Sequence, residues 1–412
     1  MGKTYVMKQF GSRYFDRFAY IDLMKDEAKR VFSAGYDPAK VLENIELYTK
    51  VKIEAGKTLV IIDEIQEVSG ALALMKGFKE DFPDIAFMAA GSYLGTAYHA
   101  GQSFPVGKVE LLDMYPMSFL EFLMAMGEEA LAGRIEQLDF EALVPFSERL
   151  NRLVRKYYYV GGMPEAVLRF RDGGEDYRAA RRVQRLLLAE YDRDFSKHIK
   201  NERELERVRL AFSSIPAHLG RENHKFIFGH IAKGARSRDY ETAIQWIVNS
   251  GLATRVYRVD KLAAPLAFYR DLSAFKLYLP DVGLLGCAME IEPKDVILSD
   301  RGLAEYKGAM TEQYACQQLV VAGCTPYYWS ASTGTGEVDF VVKHQSEAAP
   351  LEVKAAENLQ AKSLRMVCER TGLHGFRSSM AGYREQDWMT NLPLWALEAY
   401  FREDDGMDER LC

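Results

Sequence analysis

The sequence predicts an α/β protein with a parallel sheet near its N-terminus, a helical middle part and a second α/β region towards its C-terminus. Short apolar strands alternate with amphipathic helices over the first 125 residues. The pattern becomes helical and charged from 131 to about 210, and strands return after about 263. A length of 412 residues allows two to three domains, at roughly 150 residues for each.

Composition excludes several classes of protein. Lys plus Arg number 53 against 59 for Asp plus Glu, so a nucleic-acid contact would need a local basic patch. A hydrophobic fraction of 48% is typical of a folded chain. Five scattered cysteines with no Cys-x-x-Cys pair favour a reducing cytoplasm. No apolar run approaches the ~20 residues that span a bilayer, so we expect a cytoplasmic protein without a membrane segment.

Apolar runs locate the N-terminal elements. A helix is predicted from Pro38 to Ala55, and another at Met117–Leu123. The run Thr58–Ile62 is apolar after its first residue, as in the buried strands of parallel sheets. The predicted strands are Phe18–Leu23, Thr58–Ile62, Ile85–Ala90 and Val106–Met114.

The later elements are predicted from breaks and alternation. Gly161–Pro164 cannot continue a helix and should interrupt the helical part. Two short helices separated near Gly234–Ser237 precede the alternating run Leu252–Val259, which predicts a winged helix. Glu337–Val342 and Pro350–Lys354, joined by a short polar loop, predict a hairpin.

Gly2, Lys3 and Thr4 have the residue types that end a phosphate-binding loop. In such loops the lysine reaches the β- and γ-phosphates and the hydroxyl ligates magnesium. The tripeptide is common, and a second copy at Gly56-Lys57-Thr58 opens a strand, so we interpret that copy as fortuitous. We therefore predict nucleotide binding at Gly2, Lys3 and Thr4, with Thr4 as a magnesium ligand.

Two carboxylates at the end of a buried strand strengthen this prediction. Leu59–Ile62 leads into Asp63 and Glu64, the pattern of a Walker B strand. Asp63 is expected to hold magnesium through water, and Glu64 to polarise the attacking water. Ser92, after the next strand, is expected beside the γ-phosphate. The alternatives are a buried strand with a solvated acidic end and a plain turn serine.

The pattern departs from a full phosphate-binding loop. That loop reads Gly, four residues, then Gly-Lys-Thr, and it follows a strand. The printed sequence starts just before the second glycine and lacks the first glycine and the preceding strand. We expect a truncated gene product or a start site placed too far downstream, and hence weak ATP binding by this form.

Asp339, Glu352 and Lys354 are expected to converge on the predicted hairpin. Glu352 and Lys354 stand two apart on one strand and so share a face. Two acids can hold Mg²⁺ with open positions, while a lysine orients water or stabilises charge, which is the layout of the PD-(D/E)XK nucleases. Glu312, on the predicted helix Thr311–Val321, is placed like the extra metal-binding acid of many such enzymes. A solvated charged face is the alternative.

Basic residues concentrate in the predicted winged helix. They could grip phosphates, and we predict Arg236, Arg238 and Arg255 as DNA contacts. The alternative is a protein-docking or structural module with a solvated basic face. The group comprises Lys225, Lys233, Arg236, Arg238, Arg255 and Arg258.

The sequence combines the motifs Leu59–Glu64, Gly91-Ser92, Phe104–Val109, Tyr115–Phe122, Gly161–Ala166, Tyr191–His198, Lys276–Leu285, Thr311-Glu312, Gly336–Phe340 and Leu351–Lys354. Together these motifs resemble the bacterial and archaeal AAA-type (P-loop) ATP-binding proteins of unknown function. The resemblance covers nearly the whole chain and is specific in its combination. Gly107-Lys108 stands where that family often has Gly-Arg, so an arginine acting on the γ-phosphate is not expected there.

The resemblance implies a domain order and two cofactors, ATP and Mg²⁺. It places an AAA-type P-loop ATPase core at 1–130 and a helical connector at 131–200. A winged helix follows at 201–262, then a PD-(D/E)XK nuclease-like (restriction-endonuclease-like) α/β domain at 263–390 and a C-terminal tail at 391–412. It also favours Asp339, Glu352 and Lys354 as one site.

Three functions fit these observations. The first is an ATPase that couples hydrolysis to DNA handling. The second is a magnesium-dependent DNA nuclease whose ATPase half is regulatory or crippled. The third is a non-catalytic assembly protein whose nucleotide state switches partner binding. The expected partners are ATP and, depending on the function, DNA, another protein or further copies of this chain.

Overall fold

The fold is described from a computed structural model over residues 2–32, 37–91, 107–221, 224–293, 304–331, 336–355 and 361–402. Contacts divide the chain into an N-terminal unit, Met1–Met114 with Asn249–Gly251, and a C-terminal unit, Tyr115–Val248 with Leu252–Cys412. Among the described residues, no helix combines the length and the apolar character needed to cross a bilayer.

The N-terminal unit contains a three-stranded parallel sheet in the order β1-β2-β3. The predicted parallel sheet is thus confirmed for these strands. Its strands are β1 (Arg17–Asp22), β2 (Thr58–Asp63) and β3 (Ala86–Ala89), and its helices are α1 (Lys3–Tyr14), α2 (Asp26–Val31), α3 (Pro38–Thr49) and α4 (Ala71–Asp81).

Burial explains why β2 is the central strand. Every residue of β2 is buried, and Val60 and Ile62 pack with Val41 and Ile45 of α3 in one apolar core. The carboxylate of Asp37 accepts the backbone N–H groups of residues 39 and 40 and so caps α3. The sheet is therefore anchored by a strand that is apolar on both faces.

The prediction of a strand at Val106–Met114 is wrong for residues 107–114, the part of this range that the structure describes. Residues 107–114 contain no strand. Leu111 and Leu112 are exposed, Leu112 to 85%. A leucine run without a neighbouring strand has no ladder to join, so alternation alone did not produce a strand here. Val106 lies outside the described residues.

The rest of the chain begins with a long helical part. The predicted helix at Met117–Leu123 is confirmed as α5, which Ser118 and Glu121 start with a reciprocal capping box. The helices are α5 (Phe119–Ala125), α6 (Glu129–Glu136), α7 (Phe140–Leu143), α8 (Ser147–Val160), α9 (Pro164–Asp172), α10 (Tyr177–His198), α11 (Glu202–Leu219), α12 (Ser237–Asn249), α13 (Val282–Ala288), α14 (Ala304–Val321), α15 (Lys362–Thr371) and α16 (Leu397–Phe401).

An eight-stranded mixed sheet forms the second α/β region, in the order β10-β11-β9-β8-β7-β6-β4-β5. The predicted hairpin is confirmed as the antiparallel pair β7 and β8. The strands are β4 (Thr254–Val259), β5 (Arg270–Tyr278), β6 (Tyr327–Ser330), β7 (Glu337–His344), β8 (Glu347–Val353), β9 (Gly375–Ser379), β10 (Arg384–Gln386) and β11 (Met389–Pro393).

The segment predicted as a winged helix contributes strands to this larger sheet. Among the described residues between α11 and α12, the only helix is a short 3₁₀ helix, Phe228–His230, where a short α-helix was expected. β4 pairs antiparallel with β5 and parallel with β6, so the β4–β5 hairpin is continuous with the sheet. Residue 262, where the winged helix was predicted to end, lies between these paired strands.

The segment predicted as a C-terminal tail, 391–412, begins inside the core. Its described part supplies the end of β11 and the whole of α16. Leu392, Leu394 and Trp395 are buried. Residues 391–401 therefore belong to the packed C-terminal unit.

A buried carboxylate, Asp281, holds the predicted break between α8 and α9. Its side chain accepts the N–H groups of Gly162, at 2.6 Å, and Leu284, at 2.9 Å. Burial raises the pKa of Asp281 to about 6, although these donors oppose the rise. A Cβ on Gly162 would lie 2.0 Å from the carbonyl oxygen of Met117. Only glycine fits at position 162 without displacing backbone.

Candidate functional site

The residues of the predicted phosphate site meet at the carboxyl end of β2. The Thr4 hydroxyl donates to Oδ2 of Asp63 at 2.6 Å, and the Tyr20 hydroxyl donates to the same oxygen at 3.0 Å. Oδ1 of Asp63 accepts the N–H of Glu64 at 3.1 Å. The first turn of α1 is thus tied to the sheet edge where α/β proteins bind ligands.

Lys3 joins this group from the start of α1. Its Nζ donates to the carbonyl oxygen of Gly91, just after β3, at 2.9 Å. Burial lowers the pKa of Lys3, and the carboxylates of Glu64 and Asp63 act against that shift. Gly2, which precedes α1, has a φ of 82° that favours glycine. Lys3, Thr4 and Asp63 therefore converge as the sequence predicted.

Glu64 and Ser92 are the two remaining residues predicted for this site. Glu64 leaves β2 with a left-handed φ of 54°, a backbone conformation that is uncommon outside glycine. Its carboxylate accepts a hydrogen bond from the Gln66 amide. Ser92 lies outside the described residues. Sequence reasoning missed Tyr20, whose hydroxyl also orients Asp63.

The β7–β8 hairpin brings Asp339, Glu352 and Lys354 together. Phe340 pairs with Leu351 in the antiparallel register, so Asp339, before Phe340, stands opposite Glu352, after Leu351, and their side chains lie on one face. Oδ2 of Asp339 accepts the N–H of Val353 at 2.8 Å. Nζ of Lys354 lies 2.6 Å from Oε1 of Glu352. The structure thus places two acids and a lysine side by side.

One oxygen of this group has no hydrogen-bond partner. Oε2 of Glu352 is buried and accepts no hydrogen bond among the described residues. Burial raises the pKa of Asp339 to about 7, and the neighbouring Glu312 and Glu352 carboxylates add to the rise. Burial alone would lower the pKa of Lys354, but the Glu352 carboxylate raises it. Lys354 thus compensates one oxygen of Glu352, while the other oxygen stays buried without a donor in the described part of the chain.

Glu312, on α14, is already engaged by neighbours that the sequence did not point to. Its Oε1 lies 2.7 Å from Nδ1 of His224, and its Oε2 accepts from the Tyr278 hydroxyl at 2.8 Å. Oε2 also lies 3.4 Å from Nζ of Lys276. Burial alone would raise the pKa of Glu312, but Lys276 and His224 lower it to about 2.

Lys276, on β5, is the central cation of this acidic cluster. Its side chain is 1% exposed, and its Nζ lies 2.7 Å from Oε1 of Glu337. Burial alone would lower the pKa of Lys276, but Glu312, Glu337 and Asp339 raise it. One signal could have revealed it, since a lysine between the apolar residues Phe275 and Leu277 must find a carboxylate when it is buried.

The acidic cluster offers few free metal ligands. Over the described ranges, no three His, Cys, Asp or Glu side chains are arranged to hold a metal ion. Asp339 and Glu352 remain as a pair, and Mg²⁺ is commonly held by one or two carboxylates with water and phosphate oxygens. Of this pair, Oε2 of Glu352 is buried without a hydrogen-bond partner among the described residues, so it is available as a ligand to such an ion.

The predicted DNA contacts separate into two groups. Arg236 and Arg238 are exposed near the start of α12. Arg255 is buried, with its side chain 5% exposed, and donates to Glu241 at 2.8 Å and to the Tyr257 hydroxyl at 2.9 Å. Arg236 and Arg238 present their charge to solvent, whereas that of Arg255 is neutralised inside the fold.

Three parts of the chain match models of known protein families. Residues 1–123 match the model of an AAA domain. The parallel sheet within them agrees with a P-loop domain of the AAA type. Residues 151–295 match a domain of unknown function (DUF8612), and residues 307–397 match another (DUF4143). No curated protein and no solved structure matches the chain.

Proposed function

We propose that this protein is an AAA-type ATPase whose nucleotide site contains Lys3, Thr4, Asp63 and Glu64. The observation that carries the proposal is the 2.6 Å hydrogen bond from Thr4 to Asp63. In P-loop NTPases these two residue types hold the magnesium ion. The match of residues 1–123 to an AAA domain supports the same assignment.

The contacts of Lys3 and Thr4 suit them to receive a nucleotide. The Lys3 ammonium donates to a neutral carbonyl, and phosphate oxygens would be stronger acceptors because both partners are then charged. The Thr4 hydroxyl uses its proton on Asp63, which leaves its lone pairs for a cation. Mg²⁺, when bound, neutralises charge on the phosphates. We assign Glu64 to polarising water, and Gly2 and Ser92 to the phosphate surroundings.

A fluorescent ATP analogue titrated with Mg²⁺ tests this site. We expect Lys3→Ala and Asp63→Asn to weaken binding at least tenfold, and Glu64→Gln to keep binding but abolish hydrolysis. The chain supplies a matched control, since Lys57 belongs to the second Gly-Lys-Thr copy and is exposed at a turn. No binding by the parent chain, or an equal loss with Lys57→Ala, would refute the proposal.

A second function is favoured by the group on β7 and β8. We propose that Asp339 and Glu352 hold Mg²⁺ and that Lys354 orients water for cleavage of DNA phosphodiesters. The buried, unpartnered Oε2 of Glu352 beside Asp339 supports this assignment, because an isolated carboxylate oxygen is costly without a cation or donor. ATP hydrolysis would then be coupled to DNA handling through the proposed winged-helix segment, 201–262, and nuclease-like segment, 263–390.

Metal binding and plasmid cleavage test the second proposal separately. Asp339→Ala should abolish Mn²⁺ binding, whereas Lys354→Ala should keep the ion and lose cleavage, because lysine acts on water and charge. Lys343 is exposed on the same hairpin, so Lys343→Ala is the control that should cut normally. Metal binding without cleavage would leave a binding module, and the absence of metal binding would end the proposal.

DNA binding, which we propose to involve Arg236 and Arg238, is tested by charge reversal. Phosphate contacts release counterions, so affinity should fall steeply with salt. Arg236→Glu with Arg238→Glu should weaken binding at least tenfold and flatten the salt dependence. Arg152, exposed on α8, provides the control Arg152→Glu. Unchanged affinity in the double variant would favour the protein-docking alternative.

A further inference from the structure

The ammonium of Lys276 lies between the carboxylates of Glu312 and Glu337. Its Nζ is 2.7 Å from Glu337 and 3.4 Å from Glu312, and it lies 5.1 Å from the centre of the Tyr328 ring. Three different groups thus surround one ammonium that is almost entirely shielded from water. A buried charge held in this way is fixed in place, because moving it would leave the Glu312 and Glu337 carboxylates without their counter-charge.

The second lysine of the cluster is held differently. Lys354 pairs with a single carboxylate, Glu352, and its side chain is 35% exposed, against 1% for Lys276. Glu352 is buried, so Lys354 leaves it only when another cation takes its place, and the partial exposure of Lys354 makes that exchange easier than it is for Lys276. Lys354 therefore leaves the position beside Glu352 open to a divalent ion, whereas Lys276 blocks the position beside Glu337.

The partners of Glu312 reinforce this difference. Both its oxygens are taken, one by His224 and the other by Tyr278 and Lys276. A divalent cation needs oxygen ligands at about 2.0–2.6 Å, so it could reach Glu312 and Glu337 only by displacing the Lys276 ammonium. The acids consequently separate into a closed half around Lys276 and an open half at Asp339 and Glu352.

We propose that Lys276 is a built-in cation that takes the place of a second metal ion, so that the acidic cluster accepts one divalent cation only. This inference rests on the proposed metal site at Asp339 and Glu352. Lys276 is then a positioning residue that fixes Glu312 and Glu337 without touching substrate. The site then acts on phosphodiesters with one metal ion, and the Lys276 ammonium supplies a permanent second positive charge.

Counting bound Mn²⁺ by electron paramagnetic resonance tests this inference. The full chain should carry Asp63→Asn, so that the predicted nucleotide site does not contribute. We expect one ion per chain in this parent, and two when Lys276→Ala vacates the position beside Glu337. Lys354→Ala is the matched control and should stay at one, because Lys354 does not block a second position.

The number of bound ions distinguishes a failure of this inference from a failure of the proposed metal site at Asp339 and Glu352. No ion in the parent would end the proposed metal site and the inference together. One ion in both the parent and Lys276→Ala would support the proposed metal site but refute the role of Lys276 as a built-in cation. Two ions in the parent would overturn it as well. If Lys276→Ala does not fold, Lys276→Gln, which keeps a donor towards Glu337 but no charge, is counted instead with the same expected values.

Discussion

Replacing Asp281 by Asn removes a carboxyl group that titrates inside the C-terminal unit. Asp281 is fully buried and accepts N–H donors from Gly162 and Leu284. Its pKa is raised from 3.8 to about 6 because burial disfavours the ionised form. Protonation therefore stabilises the fold, and this contribution is fully present below about pH 3.8 and is lost as pH rises through about 6.

The magnitude follows from the size of the pKa shift. A rise of about 2 units corresponds to roughly 3 kcal/mol of unfolding free energy between the two limits, at 1.36 kcal/mol for each unit. Between about pH 5 and pH 7.5 the linkage relation gives a loss on the order of 1 kcal/mol from this one group. Asn cannot ionise, so the variant lacks this part of the pH dependence.

Urea unfolding of the parent chain and of Asp281→Asn at several pH values provides the assay. The difference in unfolding free energy between the two proteins should shift by roughly 1 kcal/mol across that interval, with the parent losing more as pH rises. Other titrating groups are common to both proteins and cancel. Parallel curves would show that Asp281 titrates alike in the folded and unfolded chains, and the reasoning from burial would then be refuted.

Three further substitutions have expected effects on urea unfolding. Gly162→Ala should cost at least roughly 3 kcal/mol, because its Cβ would lie 2.0 Å from the Met117 carbonyl oxygen; a loss below 1 kcal/mol would contradict this. Gly133→Ala within α6 meets no atom within 4 Å and should stabilise by about 0.5–1 kcal/mol, so a loss would be contrary evidence. Ser118→Ala removes the cap of α5 and should cost about 1 kcal/mol, and no change would argue against the capping box.

Local signals in the sequence were sufficient for several elements. β2 follows from the apolar run Leu59–Ile62, and α5 follows from the apolar residues of Met117–Leu123. The same reasoning failed for Val106–Met114, because apolar alternation predicts a strand only where a neighbouring strand offers backbone partners.

The proposed sites were predictable only in part. Asp339, Glu352 and Lys354 stand close together in the sequence, so a hairpin brings them together by local geometry. The partners of Lys276 are 36 residues away at Glu312 and 61 residues away at Glu337, and packing alone determines those contacts. Arg255 contributes charge in the sequence, but it is neutralised by Glu241 in the fold.

The parallel pairing of β4 with β6 has a consequence for how this protein could have been assembled by gene fusion. β4 lies within the match to one domain of unknown function, and β6 within the match to the other. Transfer of either segment alone into another protein would expose a row of unpaired backbone groups, which promotes aggregation. The two segments should therefore be inherited together, as a single unit of recombination.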